Sequence, residues 1–161
     1  MKRLSKNIHK LLYGTGKTLA TAESCTGGAI AAAVVATSGS SDYFKGGVVS
    51  YCNEVKNSLL GVSLETIAVH NVVSSEVAKE MCLGAMNALH TDYAISITGC
   101  AGPGGGSEEV PVGTIWIGYG SRDDVRTFKL SDDNGRTKNL KNAVTKSLEL
   151  MVCYLSEKVE K

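Results

Sequence analysis

The sequence has little proline and no excess of either charge, and both shortages limit its class. Two prolines stand against 18 glycines in 161 residues, of which 43% are hydrophobic and 20% are charged. This composition is typical of a folded globular chain and not of a disordered or collagen-like one. Lysine and arginine number 17 against 16 aspartates and glutamates, so the basic excess of nucleic-acid binders is missing. The charge balance favours a small-molecule partner and no nucleic acid.

Long apolar runs are also missing. Residues 1–16 carry several basic side chains and contain no uninterrupted apolar stretch of signal-peptide or transmembrane length. We therefore expect a cytoplasmic protein that does not contact a membrane. A length of 161 residues suits one domain, so we expect residues 1–161 to form a single domain without a second catalytic module.

Metal-binding patterns are scarce as well. The five cysteines are odd in number and scattered without a CxxC pair, which predicts reduced and mostly buried thiols. His9, His70 and His90 share no metal-ligand spacing. None of them lies in a segment rich in small, turn-forming residues, which argues against a Ser-His-Asp triad. The sequence therefore predicts neither a metal nor a cofactor.

One short string resembles the end of a phosphate-binding P-loop, namely GTGKT at residues 14–18. The P-loop motif requires a glycine five positions before Gly16, where this chain has Leu11, and the loop should follow a strand and not a helix. A helix that ends at glycines and is followed by a surface lysine explains the string better. A P-loop enzyme therefore has no support from these residues.

Hydrophobic periodicity predicts an alternation of helices and strands. Strands are predicted at residues 18–22, 46–51, 93–99, 114–119 and 125–130. Helices are predicted before Gly14, at residues 29–36, from Asn53 to Leu60, from Ser74 to Leu89 and at residues 136–159. We therefore predict an α/β fold, with α+β as the alternative, in which helices flank a mixed sheet as a single-domain three-layer sandwich.

Segments rich in small residues are associated with the predicted strands, where open α/β sheets assemble their sites. They cover residues 23–28, 39–47, 50–56 and 98–106. Hydroxyl groups flanked by glycines offer bare backbone amides, which suit an oxyanion or a phosphate. Any one such segment is better explained as a turn, but four of them in one small domain favour a site.

A serine hydroxyl needs a base within hydrogen-bond reach before it attacks an amide. No histidine is obviously available. A lysine can serve when burial disfavours its charged form, and a tyrosine can relay the proton. Tyr51 and Lys56 stand five residues apart across a predicted junction of strand and helix, so both can face one pocket. A sheet-edge tyrosine and a solvated lysine are the alternative, which the spacing leaves open.

Longer strings within these segments occur together in one known family. They are AESCTGG at residues 22–28, GSSDYF at 39–44, GVVSYCNEVK at 47–56, TGCAGPGG at 98–105 and PVGT at 111–114. With them the chain resembles the CinA carboxy-terminal domain family over nearly its whole length. The resemblance implies a metal-independent amidohydrolase that converts nicotinamide mononucleotide to nicotinic acid mononucleotide and ammonia in pyridine-nucleotide recycling, and a homo-oligomer. A catalytically silent nucleotide-binding or regulatory module of the same family is the alternative.

The resemblance also implies roles for individual residues. It assigns Ser41 as the nucleophile, Lys56 as the general base and Tyr51 as a neighbouring proton or substrate partner. Ser24 is the second candidate nucleophile because it also occupies a glycine-flanked turn. The family tends to carry a Gly-Asp-Arg sequence and a further arginine where this chain keeps only Arg136 as a phosphate fork, with Lys138 or Lys141 as a less geometric substitute for the second arginine. The implied substrate-binding residues are Thr26, Gly27, Gly28, Gly47, Thr98, Gly99, Ala101, Gly102, Gly104 and Arg136.

Overall fold

The fold alternates helices with the strands of one sheet. The computed structural model describes residues 1–159, so the last two residues of the expected 1–161 domain lie outside the described residues. The strands are β1 Leu19–Glu23, β2 Phe44–Val49, β3 Tyr93–Gly99, β4 Ile115–Ser121 and β5 Asp124–Leu130. The α-helices are α1 Lys2–Leu12, α2 Ala29–Val34, α3 Asn53–Leu60, α4 Leu64–His70, α5 Ser75–Leu89 and α6 Arg136–Val159. A short 3-10 helix, Ser40–Asp42, precedes β2.

The sheet is mixed and has the strand order β2-β1-β3-β4-β5. β1 pairs in parallel with β2 and with β3, whereas β4 is antiparallel to both of its neighbours. Parallel neighbours need a crossover connection, and helices supply it on both sides of β2. The parallel strands also bring their carboxyl ends to one edge of the sheet. The residues that follow β1, β2 and β3 therefore meet there.

Helices cover both faces of the sheet. On one face α1, α2 and α6 pack around Ile95, Ile97 and Ile117. On the other face α3 and α5 pack on small residues of β1 and β3, among them Ala20 and Ala94. These three layers confirm the predicted α/β sandwich. Within residues 1–159, no helix has both the length and the apolar character needed to cross a membrane.

The helices of the structure differ from the predicted ones in two places. The helix predicted at residues 29–36 ends at Val34. The sequence did not predict α4, which begins after the Ser63 cap and buries none of its residues. A helix without a buried stripe leaves no hydrophobic period to detect, because the period arises from the face that packs on the core. The missed helix does not affect the prediction that the ends of β1, β2 and β3 lie together, because that follows from the parallel pairing of β1 with β2 and β3.

Candidate functional site

A cavity of about 320 Å³ opens where β1 and β3 end and the β2-to-α3 connection passes, and its size is typical of a small-molecule site. Among the described residues that line it, the lysine and arginine side chains are Lys56 and Arg136, and no carboxylate is present. The Arg136 guanidinium therefore has no carboxylate beside it in the cavity lining, which suits an anionic ligand. The lining residues are Ser24, Cys25, Tyr51, Asn53, Lys56, Val72, Val73, Thr98, Gly99, Cys100, Ala101, Gly102, Gly104, Gly105 and Arg136.

Ser24 and Lys56 meet at the inner end of this cavity. Ser24 follows β1 directly, and its backbone N–H donates to the carbonyl of Ile97 at 3.1 Å, which fixes the turn against β3. Lys56 extends from α3, and its Nζ lies 3.0 Å from Ser24 Oγ and 2.8 Å from the carbonyl oxygen of Ser50. A hydroxyl and an amine at this separation can exchange a proton.

The surroundings of Lys56 disfavour its charged form. The side chain is 2% exposed, and burial lowers its pKa from the ordinary 10.5. The neighbouring Cys25 does not compete as a nucleophile, because burial raises the pKa of its thiol to about 12. The site therefore combines an amine whose charged form is disfavoured by burial with a hydroxyl within hydrogen-bond reach.

Tyr51 and Arg136 stand at the mouth of the cavity. Tyr51 is 62% exposed, and its hydroxyl accepts a hydrogen bond from Arg136 Nη2 at 3.4 Å. Arg136 also donates from Nη1 to the carbonyl oxygen of Gly102 at 2.9 Å. Tyr51 is therefore placed to contact a ligand at the entrance, and the Arg136 guanidinium adds positive charge there.

A buried carboxylate shapes the turn that carries Ser24. Glu23 is 1% exposed and accepts hydrogen bonds from the Thr26 hydroxyl at 2.6 Å and from the backbone N–H groups of Gly28, Ile30 and Ala31 at 2.8 to 3.1 Å. A carboxylate at the beginning of a helix satisfies N–H groups that have no partner within the helix. Glu23 thereby fixes the residues on both sides of Ser24.

The structure does not bring Ser41 to Lys56. Ser41 lies in the 3-10 helix before β2, whereas Ser50 and Lys56 come after it. Its neighbour Asp42 accepts a hydrogen bond from the Gly14 backbone N–H at 2.8 Å. Both residues precede their strands and therefore lie at the amino ends of β1 and β2, opposite the cavity. A strand the length of β2 spans roughly 20 Å. That distance excludes direct proton transfer between Ser41 and Lys56, whereas Ser24 lies within hydrogen-bond reach of Lys56.

Several implied substrate-binding residues form turns and strands away from the cavity. Gly47 pairs with Thr21 inside the sheet, and a Cβ there would lie 2.2 Å from Thr21 Oγ1, so its small size serves strand packing. Thr26, Gly27 and Gly28 build the turn around the Glu23 carboxylate and do not line the cavity. The other implied residues do line it, namely Thr98, Gly99, Ala101, Gly102, Gly104 and Arg136.

Comparison with known proteins decides the family. Residues 1–155 match the CinA C-terminal domain. The chain belongs to this family. It is 48% identical over 119 residues to the nicotinamide-nucleotide amidohydrolase PncC of Escherichia coli strain K12, covering 74% of this chain and 72% of that protein. A CinA-like protein of Trichodesmium erythraeum is 47% identical over 148 residues, which are 91% of this chain and 35% of that longer protein.

Solved structures agree with the assignment to the CinA C-terminal domain family. The crystal structure of the competence/damage inducible protein CihA from Agrobacterium tumefaciens superposes with a TM-score of 0.91 at 36% identity, covering 95% of this chain and 94% of that one. The chain spans about a third of the length of its longer CinA-like relatives, 35% and 32% in two cases. The match therefore concerns one domain of those proteins.

Some residues of this CinA C-terminal domain were missed by the sequence analysis. Asn53, Val72 and Val73 line the cavity, but they carry no pattern of their own. Asn139 donates to the Ala101 carbonyl of the glycine-rich loop. Its position in the helix follows no hydrophobic pattern, so the sequence did not indicate this contact. Glu23 had a usable signal, because an acidic residue close to the beginning of a helix is favourable.

The acidic side chains of the loop near the cavity lie outside it. Glu108 and Glu109 do not line the cavity, and Glu109 contributes to a neighbouring depression near His70 and Asn71. Within residues 1–159, no three His, Cys, Asp or Glu side chains come together as a metal site. The two carboxylates of the loop that follows Gly106 are therefore not part of the cavity wall.

Proposed function

We propose that this CinA C-terminal domain hydrolyses the carboxamide of nicotinamide mononucleotide to nicotinic acid mononucleotide and ammonia, with Ser24 as the nucleophile and Lys56 as the base. The observation that carries the proposal is the 3.0 Å contact of Ser24 Oγ with the buried amine of Lys56 in a cavity without carboxylates. A relative with 48% identity bears the name nicotinamide-nucleotide amidohydrolase. That name supports the choice of substrate.

The first half of the reaction needs a neutral Lys56 amine. Such an amine donates to the Ser50 carbonyl and has a lone pair left for the Ser24 hydroxyl proton. Ser24 Oγ attacks the carboxamide carbon while Lys56 Nζ takes that proton. The tetrahedral intermediate then collapses. The ammonium of Lys56 returns the proton to the amide nitrogen, which leaves as ammonia, and an ester of Ser24 remains.

The second half of the reaction repeats these steps with water. Lys56 takes a proton from the attacking water, the ester bond to Ser24 breaks, and the proton returns to Ser24 Oγ as the acid product leaves. Tyr51 and Arg136 hold the substrate at the cavity mouth, where Arg136 is suited to a phosphate group. Lys56 thus serves both steps from one position.

The decisive experiment measures ammonia released from nicotinamide mononucleotide by the wild type and by two variants. Ser24→Ala and Lys56→Met should each lower kcat by about a thousandfold or more, since each removes one of two groups that act as a unit. Circular dichroism should show that both variants are folded. Turnover retained in either folded variant would contradict the mechanism.

Two further arms complete the test. Ser41→Ala is the matched control, because it removes an identical hydroxyl from the opposite edge of the sheet, and its kcat should equal that of the wild type. A chelator should leave the wild-type rate unchanged, since neither step assigns a role to a metal. If nicotinamide mononucleotide stabilises the wild type against heat without any turnover, a silent nucleotide-binding module replaces the amidase.

A further inference from the structure

Asn139 is a buried polar residue behind the cavity for which the proposed chemistry gives no role. It lies in the first turn of α6 and is 3% exposed. Its Nδ2 donates to the Ala101 carbonyl at 3.1 Å and to Asp133 Oδ1 at 2.9 Å, and its Oδ1 accepts from the Asn134 backbone at 2.8 Å. One side chain therefore joins the glycine-rich loop to the segment that leads into α6.

This contact determines the direction of a peptide unit in the cavity wall. The Ala101–Gly102 peptide is trans, so its C=O and N–H groups point in opposite directions. Because Asn139 holds the Ala101 carbonyl, the Gly102 N–H points away from α6. No acceptor within the described residues takes this N–H, and Gly102 lines the cavity.

The preceding peptide unit is held in a similar way. The carbonyl of Cys100 accepts from the Gly113 N–H at 2.8 Å, and the Ala101 N–H has no acceptor within residues 1–159. Gly102 has φ +79°, whereas Ala101 has no positive φ. A residue in the left-handed region can turn its own N–H and the preceding one toward a common anion, and both N–H groups here have no acceptor within the described residues. Arg136, which also binds the Gly102 carbonyl, adds charge beside them.

We propose that Asn139 is a positioning residue that holds the Ala101 and Gly102 N–H groups and, through the same loop, Arg136 in place for the anionic group of the substrate. The inference rests on the proposed function for the identity of that group, a phosphate. Asn139 acts through the loop and does not touch the reacting carboxamide. Its loss therefore weakens anion binding and leaves the Ser24 and Lys56 chemistry intact.

The test compares two substrates that differ only in the phosphate, nicotinamide mononucleotide and nicotinamide riboside. Asn139→Asp keeps the shape and the acceptor for Asn134 but cannot donate when ionised, and Asn139→Ala removes both functions. Each variant should raise KM for the mononucleotide by about tenfold with kcat nearly unchanged, and should alter kcat/KM for the riboside by less than about threefold. An equal loss on both substrates would overturn the inference.

A binding measurement separates this inference from the proposed function. Calorimetric titration with inorganic phosphate should give a Kd about tenfold weaker in the Asn139 variants than in the wild type. That result with an inactive wild type would refute the amidase and keep the positioning role, whereas equal phosphate affinities would refute the positioning role alone. Failure of both variants to fold would also refute it, because Asn139 would then support the whole fold.

Ser147→Ala provides the matched control. Ser147 is buried in the same helix, and its hydroxyl donates to the Ala143 carbonyl at 2.8 Å, within the helix and not to the loop. Its removal should leave the phosphate Kd and the ratio of the two substrates within about twofold of the wild type. A Ser147 variant that behaved like the Asn139 variants would show that any perturbation of α6 has this effect and would overturn the inference.

Discussion

Burial of the Lys56 amine is the residue-scale property on which the proposed chemistry depends. An exposed lysine is protonated at neutral pH and has no lone pair to offer, whereas a buried one loses part of its preference for the charged form. Lys56 is 2% exposed, and its pKa is lowered by burial. Of the two groups that Lys56 Nζ contacts, the Ser24 hydroxyl at 3.0 Å carries a proton to give, and the Ser50 carbonyl does not.

The pH dependence of the rate tests this property. Because the neutral amine is the active form, kcat/KM should rise with pH and level off above the pKa of Lys56, which lies below the ordinary 10.5. The rising limb should have a slope of about one on a logarithmic scale. Ammonia release measured at constant ionic strength gives the profile. A rate that falls as pH rises through this range would contradict the role of Lys56 as base.

The choice between Ser24 and Ser41 illustrates what sequence could predict at this scale. Both serines lie in glycine-flanked turns, so local pattern does not separate them. The structure separates them because Ser24 follows β1 and Ser41 precedes β2. The partner of Lys56 is 32 positions distant in sequence, and only parallel pairing of β1 with β2 brings it within reach. A contact of this kind depends on tertiary structure and not on spacing.

At the scale of elements, the junction of β1 and α2 depends on the Glu23 carboxylate. α2 has six residues and no side-chain cap of its own. The backbone N–H groups of Gly28, just before the helix, and of Ile30 and Ala31, within it, donate to the Glu23 carboxylate. Short helices are marginal without tertiary support. The carboxylate therefore stabilises the helix and the turn of Ser24 together.

Replacement of the Glu23 carboxylate should lower the stability of the folded protein. Glu23→Gln keeps the size but turns an amide N–H₂ toward groups that are themselves donors, so at least one charge-assisted hydrogen bond is lost. We expect the free energy of unfolding in urea to fall by about 1.5 to 3 kcal/mol. Glu149→Gln, which removes a carboxylate from an exposed pair with Lys146, is the control and should cost less than about 1 kcal/mol. Equal losses in the two variants would contradict the role of Glu23.

Sequence predicted the elements that contribute buried residues to the core and missed α4, which contributes none. The strand at Tyr93–Gly99 and the glycine-rich loop that follows were predicted from a buried apolar run and from turn residues, and the loop lines the cavity. Asn139 reaches that loop across 38 positions. Neither helical period nor turn chemistry carries information about such a contact, so the back of the site was unpredictable.

At the scale of the whole molecule, the buried amine of Lys56 should reduce stability. The folded state disfavours the ammonium of Lys56 and the unfolded state does not, so the folded pKa is the lower of the two. The destabilisation is therefore complete below the folded pKa. It disappears as pH rises toward the unfolded value of about 10.5. Active sites commonly reduce stability in this way.

Comparison of the wild type with Lys56→Met isolates this term. The free energy of unfolding of the wild type, minus that of the variant, should increase with pH between the folded and unfolded pKa values of Lys56. The slope should approach about 1.4 kcal/mol per pH unit, because the unfolded chain binds one more proton than the folded one in that window. Urea denaturation at pH steps from about 7 to 10 measures it. Ser147→Ala is the control: it removes no titratable group, so its free energy of unfolding should differ from that of the wild type by the same amount at every pH. A difference for Lys56→Met that did not change with pH would mean that folding leaves the Lys56 amine as basic as it is in the unfolded chain.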